Sequence, residues 1–232
     1  MIRVLQERSE LVAIQRYFQG RHFTPHRQVE KNWDLYLLNG LTESFSREEP
    51  ILDIGCAGMF VLRFLLAQRF TSLYGIDLRI PLRERLFSVW GGLRSGGNQA
   101  PLHVLQGDYL HSPFDPESFA LAVSISMIEH GVPIDQFFLQ TQRVLRPGGI
   151  VFISTDYWPE KIVVPTTCRP FNLPWTIFSE QEIHGIILQA ERSGFSLLER
   201  KKDIPLCKER CVSWNNFDYT FLALAFKKSD TD

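Results

Sequence analysis

Acidic side chains accompany three short apolar runs of the chain, and their positions suit the binding of a nucleoside. Asp53 lies in the first run, which leads into the turn Gly55–Cys56–Ala57–Gly58. Asp77 ends the second run, 22 residues past Gly55, where a carboxylate can accept hydrogen bonds from both ribose hydroxyls. Asp108 follows the third run, where an acid can reach the edge of an adenine. Each acid alone could cap a helix or face solvent, but the three together favour a nucleoside site.

The elements that must position these acids alternate between strands and helices. Apolar runs predict strands over 51–54, 72–76, 102–105, 119–125 and 150–154, and helical patterns fall over 60–70, 81–93 and 134–145. This alternation is typical of an α/β fold, with a mostly parallel sheet and helices on both faces. The acids then lie at the carboxyl ends of parallel strands, the edge at which such sheets bind ligands.

Composition narrows the class of protein. The chain has 232 residues, of which 44% are apolar and 22% charged, enough for one domain with its own core. Its net charge of −1 argues against nucleic acid as a partner. No apolar run is long enough for a membrane span, and the charged N-terminus is unlike a signal peptide. The four cysteines are interpreted as reduced thiols, which predicts a cytoplasmic location.

The two ends of the chain depart from the alternation. Scattered apolar residues in the first 45 positions predict one or two amphipathic helices. Near the other end, Ser179 and Glu182 form the pattern of a capping box, which predicts that a helix begins there. Strands are predicted over 195–200 and 219–226, and we expect them to pair antiparallel because the connection between them shows no helical pattern. The aromatic-rich loop over 156–178 is long enough to be functional.

These residues and their order resemble the class I S-adenosylmethionine-dependent methyltransferases, of the type 11 or ubiquinone-biosynthesis-like small-molecule group. The pieces that carry the resemblance are Leu52-Asp53-Ile54-Gly55-Cys56, Tyr74-Gly75-Ile76-Asp77, Gly107-Asp108, Ser126-Met127-Ile128-Glu129-His130 and Arg143-Val144-Leu145-Arg146-Pro147-Gly148-Gly149. The resemblance implies a Rossmann-like, seven-stranded, mostly parallel sheet with a C-terminal antiparallel strand pair. It also implies one domain over 1–232, made of an N-terminal segment or lid (1–45), a cofactor core (50–155), a substrate loop (156–178) and a C-terminal part (179–232).

The cofactor implied by the resemblance is S-adenosyl-L-methionine, with S-adenosyl-L-homocysteine as product. Its methionine part would lie in the glycine turn, its ribose on Asp77, and its adenine against Asp108 and Tyr109. The complete set of implied cofactor residues is Asp53, Gly55, Cys56, Ala57, Gly58, Asp77, Leu78, Asp108, Tyr109, Ser126 and Met127. The family's second and third motif glycines are here Ala57 and Met59.

Candidate catalytic residues follow the fourth and fifth predicted strands. His130, with an ordinary pKa near neutrality, is the candidate general base, although Glu129 and His130 could instead only orient the next loop. Asp156 and Tyr157 follow the fifth strand and could position a hydroxyl. Trp158 and Trp175 offer flat surfaces for an acceptor or could form a small core of their own. His22 and His26 are weaker candidates in the N-terminal segment.

The resulting hypothesis is a methyltransferase that methylates oxygen on a small-molecule or sugar-containing acceptor, with no nucleic acid partner and no metal. Cys207 and Cys211 have no second pair with which to complete a metal site. An NAD(P)-dependent oxidoreductase is an alternative, but Gly-x-Gly-x-x-Gly is absent from the first turn. A non-catalytic binding module is the other alternative, supported by Ala57 and Met59. The acceptor's identity and the oligomeric state stay open.

Overall fold

The computed structural model of the protein describes residues 1–19, 25–84, 102–199 and 203–230. In these residues nine strands form one sheet. The strands are β1 (Ile2–Val4), β2 (Ile51–Ile54), β3 (Leu73–Asp77), β4 (Leu102–Gln106), β5 (Phe119–Ile125), β6 (Leu145–Tyr157), β7 (Phe195–Leu197), β8 (Val212–Trp214) and β9 (Phe217–Lys228).

The sheet has a parallel part and an antiparallel part. Strands β4, β3, β2, β5 and β6 lie side by side in that order, and all four of these pairings are parallel. Strand β9 pairs antiparallel with β6, and its far edge is covered by the short strands β8, β1 and β7. The predicted α/β class, the mostly parallel sheet and the antiparallel terminal pair (β7 and β9) are confirmed. Strands β1 and β8 are additional to the seven expected.

Helices cover both faces of the sheet. In the described residues they are α1 (Arg8–Phe18), α2 (Lys31–Thr42), α3 (Phe60–Ala67), α4 (Ile134–Val144) and α5 (Glu180–Arg192). Helices α1 to α3 pack on one face, in a core that contains Trp33, Leu62 and Phe152. Helices α4 and α5 pack on the other face, with Phe137 and Ile153. The alternation of Phe152 and Ile153 between the two cores follows from the pleat of β6. None of the described helices is long and apolar enough to cross a membrane.

The N-terminal residues form a strand instead of the start of the predicted amphipathic helix. Ile2 pairs with Leu224 and Val4 with Leu222, and α1 begins only at Arg8. The far edge of β9 offers unpaired N–H and C=O groups, which recruit a passing segment as a strand. Apolar residues at irregular spacing do not reveal such an edge, so the sequence prediction was wrong for residues 2–4, although α1 and α2 are the two helices that it expected.

Strand β6 begins five residues earlier than predicted, because the glycine-rich turn lies within it. Leu145 pairs with Phe119, and pairing resumes between Ile150 and Leu121 after a register shift. Residues 146–149 therefore form a bulge that keeps the strand in the sheet while its backbone bends.

Strand β8 was not predicted at all. It forms a hairpin in which Val212 pairs with Tyr219 and Trp214 with Phe217. Asn215 and Asn216 join the strands with φ values of 48° and 64°, the left-handed conformation of a tight hairpin turn that asparagine tolerates. The Asn-Asn pair is the feature of the sequence that could have indicated this hairpin turn.

Other local predictions can be followed directly. Ser179 and Glu182 form the predicted capping box at the start of α5. Of the helix predicted over 81–93, only residues 81–84 are described, and His22 lies outside the described residues. The division of the chain into an N-terminal lid, a cofactor core, a substrate loop and a C-terminal part stays a prediction.

Candidate functional site

The turn after β2 is tied to β3 and to the segment after β5. The N–H groups of Gly55 and Cys56 donate to the carbonyl oxygen of Ile76, at 2.9 and 3.3 Å. Gly55 has a φ of +86°, and a Cβ at this position would lie 3.0 Å from Cγ of Met127. Glycine is therefore required here by the backbone conformation and by the close approach of Met127.

The remainder of the turn closes with Ala57 and Met59 at the two positions where the methyltransferases that the sequence resembles have glycine. Ala57 N–H donates to Oδ2 of Asp77 at 3.0 Å. Met59 takes the left-handed conformation, with φ 55°, just before α3, and its side chain is fully buried. Gly58 is exposed, and among the described residues no hydrogen bond uses its N–H. A donor near the N-terminus of α3 thus remains available to an acceptor group of a ligand.

The two acids nearest this turn have different environments. Asp53 lies within β2 and is buried, and burial raises the pKa of its carboxyl well above the usual range, with a further contribution from Asp77. Asp77 is half-buried at the end of β3, where Oδ1 accepts the N–H of Arg79 at 2.9 Å and Oδ2 accepts that of Ala57. Each oxygen of Asp77 can still accept a second hydrogen bond. Leu78 follows it and is exposed.

Asp108 and Tyr109, which follow β4, have different environments. Asp108 is exposed and caps a short turn by accepting the N–H of Leu110 at 3.0 Å. Tyr109 is buried, with its hydroxyl 2.9 Å from the hydroxyl of Thr141 on α4 and its ring beside Phe137. The hydroxyl of Tyr109 therefore belongs to the contact with α4.

Beyond β5 the chain bends sharply at Ser126. This residue has a φ of 51°, and its N–H donates to the carbonyl of Ser154 on β6 at 2.8 Å. A left-handed conformation is uncommon in a residue other than glycine, and it occurs in tight turns and at functional sites. Ser126 and Met127 consequently lie at the mouth of the sheet, beside the glycine turn.

His130 follows this bend and is half-buried. Burial lowers the pKa of its imidazole, partly opposed by the nearby carboxylate of Asp156. Its Nδ1 is buried and has no hydrogen-bond partner in the described part of the chain, and its ring meets Phe171 edge-on at 5.5 Å. At neutral pH the imidazole is therefore uncharged, with a lone pair on one ring nitrogen.

Two buried carboxyl groups lie next to His130. Oε2 of Glu129 accepts the hydroxyl of Thr155 at 2.9 Å, and Oδ2 of Asp156 accepts the indole N–H of Trp175 at 2.8 Å. Burial raises the pKa of each carboxyl to about 7, while Lys31 lowers both values and the charge of Glu129 further raises that of Asp156. The pair therefore changes its protonation near neutrality.

Helix α2 completes this group with two residues that sequence reasoning missed. Lys31 Nζ donates to Oγ of Ser126 and lies 4.0 Å from the centroid of the Phe221 ring. Asp34, fully buried one turn later, accepts the hydroxyl of Ser154 through Oδ1. Burial raises the pKa of Asp34 to about 6, although Lys31 lowers it. A lysine three residues before an aspartate gives no indication of which distant strands the helix will cover.

The aromatic residues of the predicted substrate loop divide between the two faces. Trp175 lies on the same face as Asp156, beside Tyr219 at 5.9 Å, and Trp158 packs on this face too, under the guanidinium of Arg210. Tyr157 is fully buried in the opposite core. The prediction that Tyr157 faces the site with Asp156 is therefore corrected, because consecutive residues of a strand point to opposite faces.

Comparison with known proteins finds similarity to methyltransferases over part of the chain. Residues 52–153 match the family model described as a methyltransferase domain. The 24-methylenesterol C-methyltransferase 2 of Arabidopsis thaliana is 30% identical over 111 residues, which are 47% of this chain and 29% of that protein. The ubiquinone biosynthesis O-methyltransferase of Rickettsia prowazekii (strain Madrid E) is 28% identical over 107 residues, 45% of this chain and 39% of that protein. The chain spans well under half the length of these two curated relatives.

A solved structure extends the likeness over most of the chain. The S-adenosylmethionine dependent methyltransferase from Mesorhizobium loti superimposes with a TM-score of 0.58 at 15% identity, covering 84% of this chain and 97% of that one. At this level of identity the likeness concerns the fold. One curated relative is a C-methyltransferase and the other an O-methyltransferase, so the acceptor atom does not follow from the similarity.

Proposed function

We propose that this chain, which carries a class I S-adenosylmethionine-dependent methyltransferase domain, transfers a methyl group from S-adenosyl-L-methionine to an oxygen atom of a small-molecule or sugar-containing acceptor. The observation that carries the proposal is the position of a neutral imidazole, His130, beside buried carboxyls. This group lies at the same edge of the sheet as the glycine turn that is joined to Asp77.

The residues around the turn fit the cofactor. Gly55 gives the turn its left-handed bend beside Met127, and the free N–H of Gly58 suits the cofactor's carboxylate. Asp77 has acceptor capacity left for the ribose hydroxyls, and exposed Asp108 can take the adenine amine. Cys56, Ala57 and Leu78 would contribute backbone and apolar contacts around the turn, and Ser126 and Met127 would border the transferred methyl group.

In the proposed reaction the protein mainly aligns the acceptor and removes a proton. When bound, the sulfonium supplies an already activated methyl group. His130 accepts the hydroxyl proton of the acceptor, which its lowered pKa permits at neutral pH. Asp156, fixed by the indole of Trp175, stabilises the imidazolium that results. Asp156 is thus a positioning residue in this scheme, and Trp158 and Trp175 offer the acceptor's apolar face a surface.

The proposal also covers the cellular location, the absence of a metal and the class of acceptor. All four cysteines of the chain are free, which supports a reducing, cytoplasmic location. No group of histidine, cysteine or acidic residues suited to a metal ion is found among the described residues, and a metal-independent reaction needs none. The acceptor is a small molecule, and no nucleic acid takes part.

Two measurements test the function. Isothermal titration with S-adenosyl-L-homocysteine should give saturable binding, and NAD should give none. Transfer of a labelled methyl group should then be followed against a panel of hydroxylated small molecules, with His130→Ala as the inactive control. Binding of NAD in place of the sulfur nucleoside would support the oxidoreductase alternative, and cofactor binding without transfer to any acceptor would support the non-catalytic module.

A further inference from the structure

We propose that residues 26–31 form a strap across the cofactor crevice, and that S-adenosyl-L-methionine enters and S-adenosyl-L-homocysteine leaves only when this strap opens. The inference rests on the proposed methyl transfer and adds a gate to that same site. It follows from the two elements that the strap contacts and from the hydrogen bonds that keep it in place.

The crevice lies where the strand order of the parallel part of the sheet reverses. From β2 the order runs through β3 to β4 on one side, and through β5 to β6 on the other. In such sheets a crevice opens at the carboxyl ends of the two strands at the reversal, and ligands bind there. A Cβ at Gly55, just after β2, would lie 3.0 Å from Cγ of Met127, just after β5. The glycine turn and the bend at Ser126 therefore form the two sides of the crevice.

The strap contacts both sides of this crevice. On the β2 side, the ring of His26 packs against the ring of Phe60, with centroids 5.3 Å apart, and Phe60 is the first residue of α3. On the β5 side, Lys31 donates a hydrogen bond to the hydroxyl of Ser126. Because α3 follows β2 and Ser126 follows β5, a segment that contacts both must cross the reversal point.

Asn32 keeps the strap in this position. Its side chain is only 1% exposed, and its Oδ1 accepts the N–H of His26 at 2.7 Å. Its Nδ2 donates to the carbonyl oxygens of His26 and Val29, at 3.2 and 3.1 Å. All three hydrogen bonds of this buried amide go to the backbone of the strap, so they fix the shape of the strap.

The strap is held less firmly than the helix that it leads into. Trp33, Leu35 and Leu38 of α2 are buried in the core, whereas none of the residues 26–31 is buried. Segments with few buried apolar contacts open locally at a low cost in free energy. The strap can therefore open while α2 stays packed, and the hydrogen bonds of Asn32 oppose that opening.

A gate and a fixed wall predict different kinetics. The hydrogen bonds of Asn32 join the strap to α2, so they favour the closed strap equally with and without the cofactor. Their loss raises the open fraction in both states, and the cofactor should then enter and leave faster by the same factor. A wall that only contacted the bound cofactor would change the dissociation rate alone. Two faster rates with an unchanged Kd are therefore specific to a gate.

Stopped-flow mixing of the full chain with S-adenosyl-L-homocysteine, followed by tryptophan fluorescence, measures both rate constants. Asn32→Ala removes three hydrogen bonds, and we expect association and dissociation to be at least about tenfold faster, an effect of about 1.4 kcal/mol. The Kd should change by less than about threefold, or about 0.7 kcal/mol. The matched control is Asn39→Ala on the same helix, which removes a hydrogen bond of 2.8 Å to the hydroxyl of Tyr17 and should change neither rate.

Limited proteolysis with trypsin tests the strap in the unaltered chain. Arg27 in the strap and Arg210 are both exposed and lie outside helices and strands. Cleavage requires the local chain to open, and S-adenosyl-L-homocysteine beneath the strap should favour the closed state. A saturating concentration should therefore slow cleavage after Arg27 by at least about tenfold and leave cleavage after Arg210 unchanged.

Each outcome distinguishes the two proposals. Rate constants of Asn32→Ala equal to those of the unaltered chain, or a change in dissociation alone, overturn the gate while the proposed function stands. Cleavage after Arg27 that is equally fast with and without S-adenosyl-L-homocysteine also overturns the gate, and this result does not depend on the folding of a variant. Failure of S-adenosyl-L-homocysteine itself to bind overturns the proposed function on which the inference rests.

Discussion

Replacement of Asp77 is the sharpest test of where the cofactor lies. Its carboxylate accepts two backbone N–H groups, from Ala57 at 3.0 Å and from Arg79 at 2.9 Å. In the proposed complex it also accepts the two ribose hydroxyls. Asp77→Ala removes all four hydrogen bonds, whereas Asp77→Asn keeps one acceptor oxygen and changes little in volume.

The expected magnitudes follow from the surroundings of this carboxylate. Hydrogen bonds to a charged group contribute about 1.5–3 kcal/mol each. Because Asp77 is half-buried, the lower value applies, and two lost ribose contacts weaken binding by about 3 kcal/mol, or about 100-fold. The hydrogen bond from Ala57 is partly buried and that from Arg79 is exposed, so the loss of both should destabilise the fold by only about 1–2 kcal/mol.

Calorimetric titration of S-adenosyl-L-homocysteine into each variant measures the first effect, and thermal unfolding measures the second. Asp115→Ala is the matched control, because Asp115 is an exposed acid in the loop that precedes β5, at the amino end of the parallel strands. We expect Asp77→Asn to fall between the wild type and Asp77→Ala. An unchanged Kd for Asp77→Ala in a folded protein would refute the proposed cofactor position.

Three further perturbations test the turn, the base and the buried acids. Gly75→Ala would place a Cβ 2.7 Å from Sγ of Cys56 and should lower the free energy of unfolding by about 1–3 kcal/mol. Gly185→Ala in α5 meets nothing within 4 Å and should raise that free energy by up to about 1 kcal/mol. Thermal unfolding that ranks the two variants otherwise would contradict this packing. His130→Ala should slow methyl transfer by about 10²–10⁴-fold without weakening S-adenosyl-L-homocysteine, and equal loss of both would assign His130 a structural role. The pKa of Glu129 is raised from 4.5 to about 7, so the native state keeps this proton while the unfolded state releases it. The Glu129 contribution to the free energy of unfolding should therefore fall by about 3 kcal/mol as the pH rises from about 4.5 to about 7, and urea titrations that show the same pH dependence for Glu129→Gln would disprove it.

Local chemistry made several parts of this molecule predictable from the sequence. Ser179 and Glu182 are three residues apart and cap each other's backbone at the start of α5. Gly55 is required by a turn that spans only a few residues. Strands and helices were recognisable wherever the apolar period was regular, and the acids at strand ends followed from that alternation. Asp156 and Tyr157 were predicted to face the same site because the predicted strand ended at 154, whereas β6 continues to Tyr157 and its two-residue period separates them.

Other features depend on groups that meet only in the folded chain. The contact of Lys31 with Ser126 joins residues 95 positions apart, and that of Asp34 with Ser154 joins residues 120 positions apart. Strand β1 exists because Ile2 finds an unpaired edge at Leu224. No local pattern specifies these partners, since each depends on where a helix or an edge lies after the sheet has formed.

The sequence by itself determined the alternating elements, the glycine turn and the kinds of side chain at the strand ends, because backbone conformation and hydrophobic period are local properties. The tertiary structure alone decided that Asp34, Glu129 and Asp156 are buried and lie within electrostatic reach of Lys31. Their protonation depends on burial and on each other's charge, and both are set by residues far away in the chain.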